Sequence, residues 1–396
     1  MTATVGRMTN IGGDVAPGWG PVADAFRTNF DSGLEVGAGV SVYHQGTKVV
    51  DLWGGAFEKG GDAPYTEDTL QLVFSTTKGI TAIAVAMCVQ RGLLDYEAKV
   101  VDYWPEFAAA GKESITVAQL LSHQAGLATV DGAVTLDEAL DWDVITKKLA
   151  EQAPLWEPGT AHGYHAVTYG WLAGELVRRV DPERRSFGGF VADEIVGPLG
   201  AEFWIGLPDD QQARVSPMIP SPPPEDPAIV AMVLQMMGPE TLGGRALALN
   251  GAFSLAGEMP FNLPRVRAAE IPAANGVGTA GALARIFAAT IGDVDGVRLL
   301  DEATVARASA TVTPENEPDQ CLVVPTTFGM GFMTYGMVTP MLGAGSFGHA
   351  GAGGSLAFAE PSSGIGFGYV MNRMDMNLAG DTRPARLLDA VAACAG

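Results

Sequence analysis

Phe74-Ser75-Thr76-Thr77-Lys78-Gly79-Ile80 sets a hydroxyl and an amine three residues apart at the head of an apolar helical pattern. Ile80, Ile83, Ala84, Met87 and Cys88 recur at i, i+3, i+4, i+7 and i+8, and Gly92 marks a stop. That spacing predicts an amphipathic helix with Ser75 and Lys78 on one face, a turn apart. A serine hydroxyl is a weak nucleophile near neutral pH and needs a base beside it. Lysine serves once its pKa falls from about 10.4 towards 7, which burial or a nearby cation supplies. The helix N-terminus also favours developing negative charge. With 14 serines and seven lysines in 396 residues, this is the only Ser-x-x-Lys. Alone, the pattern more readily describes an N-cap followed by a solvated lysine.

Outward from this motif, residues 37–43 and 49–53 read as two strands joined by His44-Gln-Gly-Thr47, a hairpin. A helix is predicted over 22–30. Helical patterns then dominate: 117–121, 136–152, 169–180 and 281–291. Residues 216–227 (SPMIPSPPPEDP) read as a surface loop, since proline holds neither a helix interior nor a central strand. The nearby Met232, Met236, Met237 and Met259 are expected to fill the core, with a flap over a pocket as the alternative. Short strands return at 328–335, 356–360 and 364–371, and a last helix at 385–393. No repeat of 20–50 residues is visible. The expected fold is α/β (α+β): an antiparallel sheet built from both chain ends and flanked by helices, with an inserted mainly helical domain. Residues 1–74 and 315–396 form the sheet domain, residues 75–314 the helical one, and the site lies between them.

Two further segments carry candidate chemistry. Tyr164 stands just before an apolar helix, where a phenol can hydrogen-bond a serine or lysine and relay a proton. Phe347-Gly-His349-Ala-Gly351-Ala352-Gly-Gly354 leads into a strand, and its backbone N–H groups could polarise a carbonyl as half of an oxyanion hole. The bland readings are a half-buried loop tyrosine and a glycine turn with a satisfied histidine.

Composition narrows the field. Hydrophobic residues make up 47% of the chain and charged residues 17%, enough to fill a large core. A net charge of −21 repels a phosphate backbone, and the densest basic cluster (Arg178, Arg179, Arg184, Arg185) is interleaved with Asp181 and Glu183. No nucleic-acid partner is expected. No apolar run is long enough for a membrane span, and residues 1–14 lack the pattern of a signal peptide. Cys88, Cys321 and Cys394 form neither a disulfide framework nor a zinc site, so a cytoplasmic location is expected. His162 and His165 lack the companions of a metal site. The GxGxxG matches at 276–281 and 343–348 lack the strand-to-helix setting of a dinucleotide fold, and no Gly-x-Ser-x-Gly elbow occurs. Neither cofactor nor metal is expected.

Ser75-x-x-Lys78, the Tyr164 segment and His349-Ala-Gly351 occur in an order and spacing that resemble the serine β-lactamase and penicillin-binding-protein superfamily. Within it the chain looks most like the class C β-lactamase-like esterases called family VIII carboxylesterases. Gln119-Leu-Leu-Ser-His-Gln-Ala-Gly-Leu127, Pro158-Gly-Thr160 and Gly278-Thr-Ala280 look familial too, and the likeness spans roughly residues 20 to 390. The resemblance implies Ser75 as acylated nucleophile, Lys78 as general base and Tyr164 as proton relay. It implies the Ser75 and Ala352 N–H groups as oxyanion hole, with His349 and Gly351 as auxiliary substrate-side residues.

The chain departs from the β-lactamase pattern at two points. The Tyr-x-Asn of class C enzymes reads Tyr164-His165-Ala166, without the amide, and Lys-Thr-Gly reads His349-Ala350-Gly351, without the cation. Both losses weaken recognition of an anionic amide and leave the acylation groups in place. The resemblance thus implies a serine carboxylesterase acting on small, neutral, short-chain esters. An acyltransferase, a weak β-lactamase or a D-amino-acid amidase on the same scaffold are the alternatives, and a non-catalytic ligand-binding protein is the alternative of another class.

Overall fold

Strands from the two ends of the chain interleave in one antiparallel sheet. The computed structural model describes residues 10–222, 224–254, 258–336, 341–375 and 381–396. Most of the 1–14 segment read for a leader, and Pro223 of the expected loop, lie outside the described residues. Seven strands form the sheet: β1 (Ile11–Val15), β2 (Gly37–His44), β3 (Thr47–Gly55), β4 (Met333–Thr334), β5 (Phe347–Ala350), β6 (Leu356–Glu360) and β7 (Ile365–Met371). Their order across the sheet is β1-β3-β2-β7-β6-β5-β4. The chain ends meet where β2 pairs with β7, Val40 opposite Tyr369 and Val42 opposite Phe367.

Both faces are covered, so β2 and β7 are apolar or small almost throughout rather than alternating with polar residues. Helix α1 (Gly20–Asp31) packs on β1 and β3. Helix α2 (Thr77–Gln90) opens the helical region, and α3 (Thr168–Val180) packs beside it. Helices α4 (Pro227–Met237), α5 (Ala280–Ile291) and α6 (Thr382–Ala395) follow. α5 crosses β2, β6 and β7 at close range: a Cβ at Gly368 would lie 2.4 Å from Ala280 O, and one at Gly366 2.6 Å from Ala284 O. α6 packs on α1.

Several expectations change. α2 is not amphipathic: every residue from Thr77 to Cys88 is buried, because α3, helix Glu302–Ser309 and β5 enclose it. The helix expected over 136–152 breaks at Asp141, whose side chain caps a second helix by accepting from Asp143 N and Val144 N at 3.0 and 3.1 Å. Of 328–335, only Met333–Thr334 is strand. β1 and α4 were not foreseen. Met259 is core, but Met232 on α4 is 42% exposed and Met236 and Met237 are half-buried, against the core-packing expectation. The start of the expected surface loop is instead interior: Ser216 and Met218 are buried, and Ile219 N donates to Asn372 O at 2.7 Å. α5, which the sequence division assigned to the helical part, belongs by its packing to the sheet's own helical layer.

Candidate active site

Ser75 sits in a tight turn rather than in the helix proper. Strand Leu70–Leu72 ends at Val73, whose N–H donates to Gly276 O at 2.9 Å, and a 3-10 turn (Phe74–Thr76) runs into α2. Phe74 carries a φ of +45°, a left-handed conformation that costs a non-glycine residue about 1–2 kcal/mol. The turn is closed around it. Thr77 Oγ1 donates to Phe74 O and accepts from Gly276 N at 2.9 Å, and the Phe74 ring packs edge-on against Phe261 at 5.2 Å. Phe261 in turn stacks on Phe253 at 5.2 Å, giving an aromatic wall behind the turn.

Lys78, one turn on, is wholly buried. Its Nζ lies 2.9 Å from Ser75 Oγ, 2.6 Å from Ala166 O and 2.9 Å from Ala273 O. Burial holds its pKa well below the usual lysine value. Among the described residues no carboxylate pairs with it to oppose that shift. A buried lysine elsewhere makes the contrast: Lys112 Nζ gives its three bonds to the carbonyls of Ala109, Ala150 and Gln152, and meets no hydroxyl.

Tyr164 completes the group. The Ser75 side chain acts electrostatically on its phenol, and Lys78 Nζ stands 4.8 Å from its ring centroid. The ring lies between Phe328 and His349, near-parallel to both with centroids 6.0 Å away. Burial pushes the phenol above its ordinary pKa, so it rests protonated. Its backbone is clamped at three successive N–H groups. Gly163 N donates to His123 O at 3.0 Å, Tyr164 N to Asp319 Oδ1 at 2.9 Å and His165 N to His123 Nδ1 at 3.1 Å. His123 achieves this double grip with a φ of +64°.

The histidines around the phenol are neutral. Burial pushes His165 down to about 4 and His349 down to about 3, and holds His123 well below its usual value with help from its neighbours. His349 is on β5, wholly buried, with Nδ1 2.7 Å from Ala350 O. That contact puts the proton on Nδ1 and leaves Nε2 as a lone pair with no hydrogen-bond partner in the protein.

β5 leads into the glycine turn. Gly351 N donates to Ser355 O at 2.7 Å, and Ser355 Oγ lies 2.8 Å from Val73 O and 3.1 Å from Thr76 Oγ1. Ser355 therefore ties the Ala352 turn to the Ser75 turn. A Cβ on Gly351 would fall 2.2 Å from Ser355 Oγ and 2.3 Å from Val73 O. Among the described residues, neither the Ser75 nor the Ala352 N–H has an acceptor in the protein. The structure thus brings Ser75, Lys78, Tyr164 and His349 into one cluster, with Gly351 and Ala352 on the turn stitched to it.

Reading the sequence missed Asp319 and the part played by His123. His123 lies inside the 119–127 segment noted above, but its grip on residues 163 and 165 has no local signal. Asp319 is buried, and its carboxylate accepts from Tyr164 N, Cys321 N, Leu322 N and Thr326 Oγ1, yet it reads as a loop aspartate. Among the described residues no three His, Cys, Asp or Glu side chains are grouped as metal ligands, and no helix is long and apolar enough to cross a membrane.

Comparison with known proteins fits this geometry. The Beta-lactamase family model matches residues 24–392. The chain is 36% identical over 370 residues to the esterase/beta-lactamase LipL of Mycobacterium tuberculosis, covering 91% of this chain and 83% of that protein. A crystal structure of a family VIII carboxylesterase is similar with a TM-score of 0.85 and 38% identity, covering 97% of this chain and 100% of the other. EstA from Arthrobacter nitroguajacolicus Rue61a superposes with a TM-score of 0.85 at 37% identity, over 97% of this chain and 98% of that one.

Proposed function

Because the chain belongs to the beta-lactamase family, in the branch of its esterases, we propose that it hydrolyses small, neutral carboxylic esters through an acyl-enzyme on Ser75. It is a serine esterase of that family. The observation that carries the assignment of roles is the setting of Lys78. A neutral amine has two N–H donors and one lone pair. Ala166 O and Ala273 O, at 2.6 and 2.9 Å, take the two donors, and the lone pair is left for the Ser75 hydroxyl at 2.9 Å. Burial without a carboxylate partner favours that neutral form.

Catalysis follows from these contacts. Ser75 Oγ attacks the ester carbonyl as its proton passes to Lys78 Nζ. The oxyanion settles between the N–H groups of Ser75 and Ala352, where losing one donor typically costs about 3–4 kcal/mol of transition-state stabilisation. Tyr164, protonated at rest, passes a proton to the departing alkoxide and recovers one from Lys78. Water then attacks the acyl-enzyme by the same route in reverse, releasing the acid and restoring Ser75.

The preference for a neutral ester rests on what surrounds the nucleophile. Position 349 offers a neutral imidazole where a cation would pair with a carboxylate, and position 166 contributes its backbone carbonyl to Lys78 rather than a side-chain amide to substrate. Cys88, Cys321 and Cys394 are all unpaired, which supports a reducing, cytoplasmic setting.

The test pairs wild type with Ser75→Ala on p-nitrophenyl esters, a chromogenic cephalosporin and a serine-directed phosphonate, followed by intact mass. Ester turnover and one phosphonate adduct per chain are expected, both absent in Ser75→Ala. Hydrolysis surviving in that variant would overturn the mechanism. Cephalosporin turnover outpacing the esters would shift the assignment to β-lactam hydrolysis. Faster product release with added alcohols, with new esters formed, would shift it to acyl transfer.

A further inference from the structure

The glycine turn is held from behind by a group of charges that never reaches the substrate side. Arg383, in the first turn of α6, is wholly buried and uses all five of its N–H donors. Nε bonds Asp381 Oδ1 at 3.0 Å, and Nη2 bonds Asp381 Oδ2 at 2.7 Å and Gly353 O at 2.6 Å. Nη1 bonds Arg373 O at 2.7 Å and Glu35 Oε2 at 3.3 Å. The other oxygen of Glu35 accepts from the Tyr369 hydroxyl on β7. Gly353 O accepts a second bond, from Asp375 N at 3.0 Å.

The glycines of the turn match this arrangement. Gly353 and Gly354 have φ values of +84° and +124°, open to glycine and strained for other residues. A Cβ on Gly354 would fall 2.3 Å from Asp381 Oδ2 and 2.7 Å from Arg383 Nη2, and one on Gly353 2.7 Å from Met374 Cγ. Gly353 and Gly354 thus let the backbone approach Arg383, Asp381 and Met374 closely.

A run of three glycines around one alanine is flexible unless pinned, and oxyanion donors act only when aimed in advance of the reaction. We propose that Arg383, oriented by Asp381 and Glu35, is a positioning residue that fixes the Ala352 turn through the Gly353 carbonyl and so presets the oxyanion hole. The proposal rests on the assignment of the Ala352 N–H to that hole. Arg383 touches no reacting atom. The competing role is a buried ion pair that only holds α6 to the sheet.

The experiment compares wild type, Arg383→Lys and Asp381→Asn with matched oxygen and thiono esters, whose C=S accepts hydrogen bonds poorly. Active sites are counted by exhaustive phosphonate labelling, and melting is followed by circular dichroism. In Arg383→Lys, kcat per labelled site for the oxygen ester falls roughly 10- to 100-fold with KM little changed, and the preference for oxygen over thiono ester shrinks by a similar factor. Asp381→Asn keeps an oxygen for the α6 cap but loosens the grip on Nη2, so it shows the same pattern at roughly 3- to 10-fold. Lowered melting temperature with unchanged kcat per site and unchanged oxygen preference overturns the proposal. If Arg383→Lys does not fold, Asp381→Asn decides alone by the same criterion. A wild type without oxygen preference would refute the oxyanion assignment itself, whatever the variants do.

Discussion

Replacing Lys78 by methionine tests the base assignment while sparing the packing. The helix position is enclosed on all sides, so a truncation would open a cavity, whereas methionine keeps an unbranched chain of similar bulk. Two effects on stability oppose each other. The carbonyls of Ala166 and Ala273 lose their donor, about 1–3 kcal/mol each if no water enters, but the variant no longer desolvates an amine. The net change is expected to stay within about 2 kcal/mol, read from urea midpoints. Activity is another matter, since a positioned general base contributes about 10²–10⁴ in rate, or roughly 3–5 kcal/mol of barrier. Stopped-flow release of p-nitrophenol, normalised to folded protein, measures acylation directly. The amine acts only when unprotonated and its folded pKa is depressed. Wild-type acylation is therefore expected to be retained above that depressed value, well below the ordinary lysine range, and lost as pH falls through it. In Lys78→Met this limb is expected to vanish along with most of the rate. Acylation within tenfold of wild type at pH 7, with the limb intact, would show that another group takes the Ser75 proton.

Three other substitutions probe the surroundings. Glu35 is raised to about 7 by burial, which outweighs the pull of Arg383, so folding is favoured while it is protonated, fully so below its unfolded value of 4.5. That advantage is lost as pH rises through 7 and amounts to roughly 3 kcal/mol at most; Glu35→Gln is expected to flatten the decline, and equal pH dependence of the two unfolding free energies between pH 5 and 8.5 would refute it. Asp319→Ala leaves four donors unmatched in a buried loop, so its urea stability is expected to fall by about 3 kcal/mol or more, with kcat falling as the Tyr164 backbone loosens; an unchanged midpoint would contradict this. His349→Gln is expected to lower kcat far less than Ser75→Ala and to leave the pH-rate profile between 5 and 9 unaltered, because the imidazole is already neutral there; an equally dead variant would make His349 part of the proton relay.

What could be read from the residues alone follows the range of the interactions. Ser75 and Lys78 are three apart, so their proximity is local and legible. Tyr164 and His349 become meaningful only as members of an ordered set. The period of Ile80, Ile83 and Ala84 suggested one buried face on α2, but alanines, glycine and threonines on the other face are small enough to be buried as well. α4 was hidden by the prolines before it and by apolar residues that look like core yet remain on the surface, Leu234 being 58% exposed. The grip of His123 and Asp319 on Tyr164 spans some 40 and 155 positions, and no periodicity encodes it. Arg383 did leave a trace: a cation in the first turn of a helix opposes the helix dipole, and Asp381 two residues before it already supplies the cap. Such a misplaced charge is a reason to look for a distant partner.

The pairing of β2 with β7 bears on how the protein is made. During synthesis the hairpin of β2 and β3 emerges well before its neighbour, Ile365–Met371, so β2 presents an open edge until β7 has left the ribosome. Ser75 and Lys78 emerge long before the Ala352 turn and the Arg383 that grips it. A nascent chain can therefore hold the nucleophile and its base without the second oxyanion donor. Premature termination before residue 383 would release a product with an exposed strand edge or an unpinned turn, prone to aggregate rather than to hydrolyse.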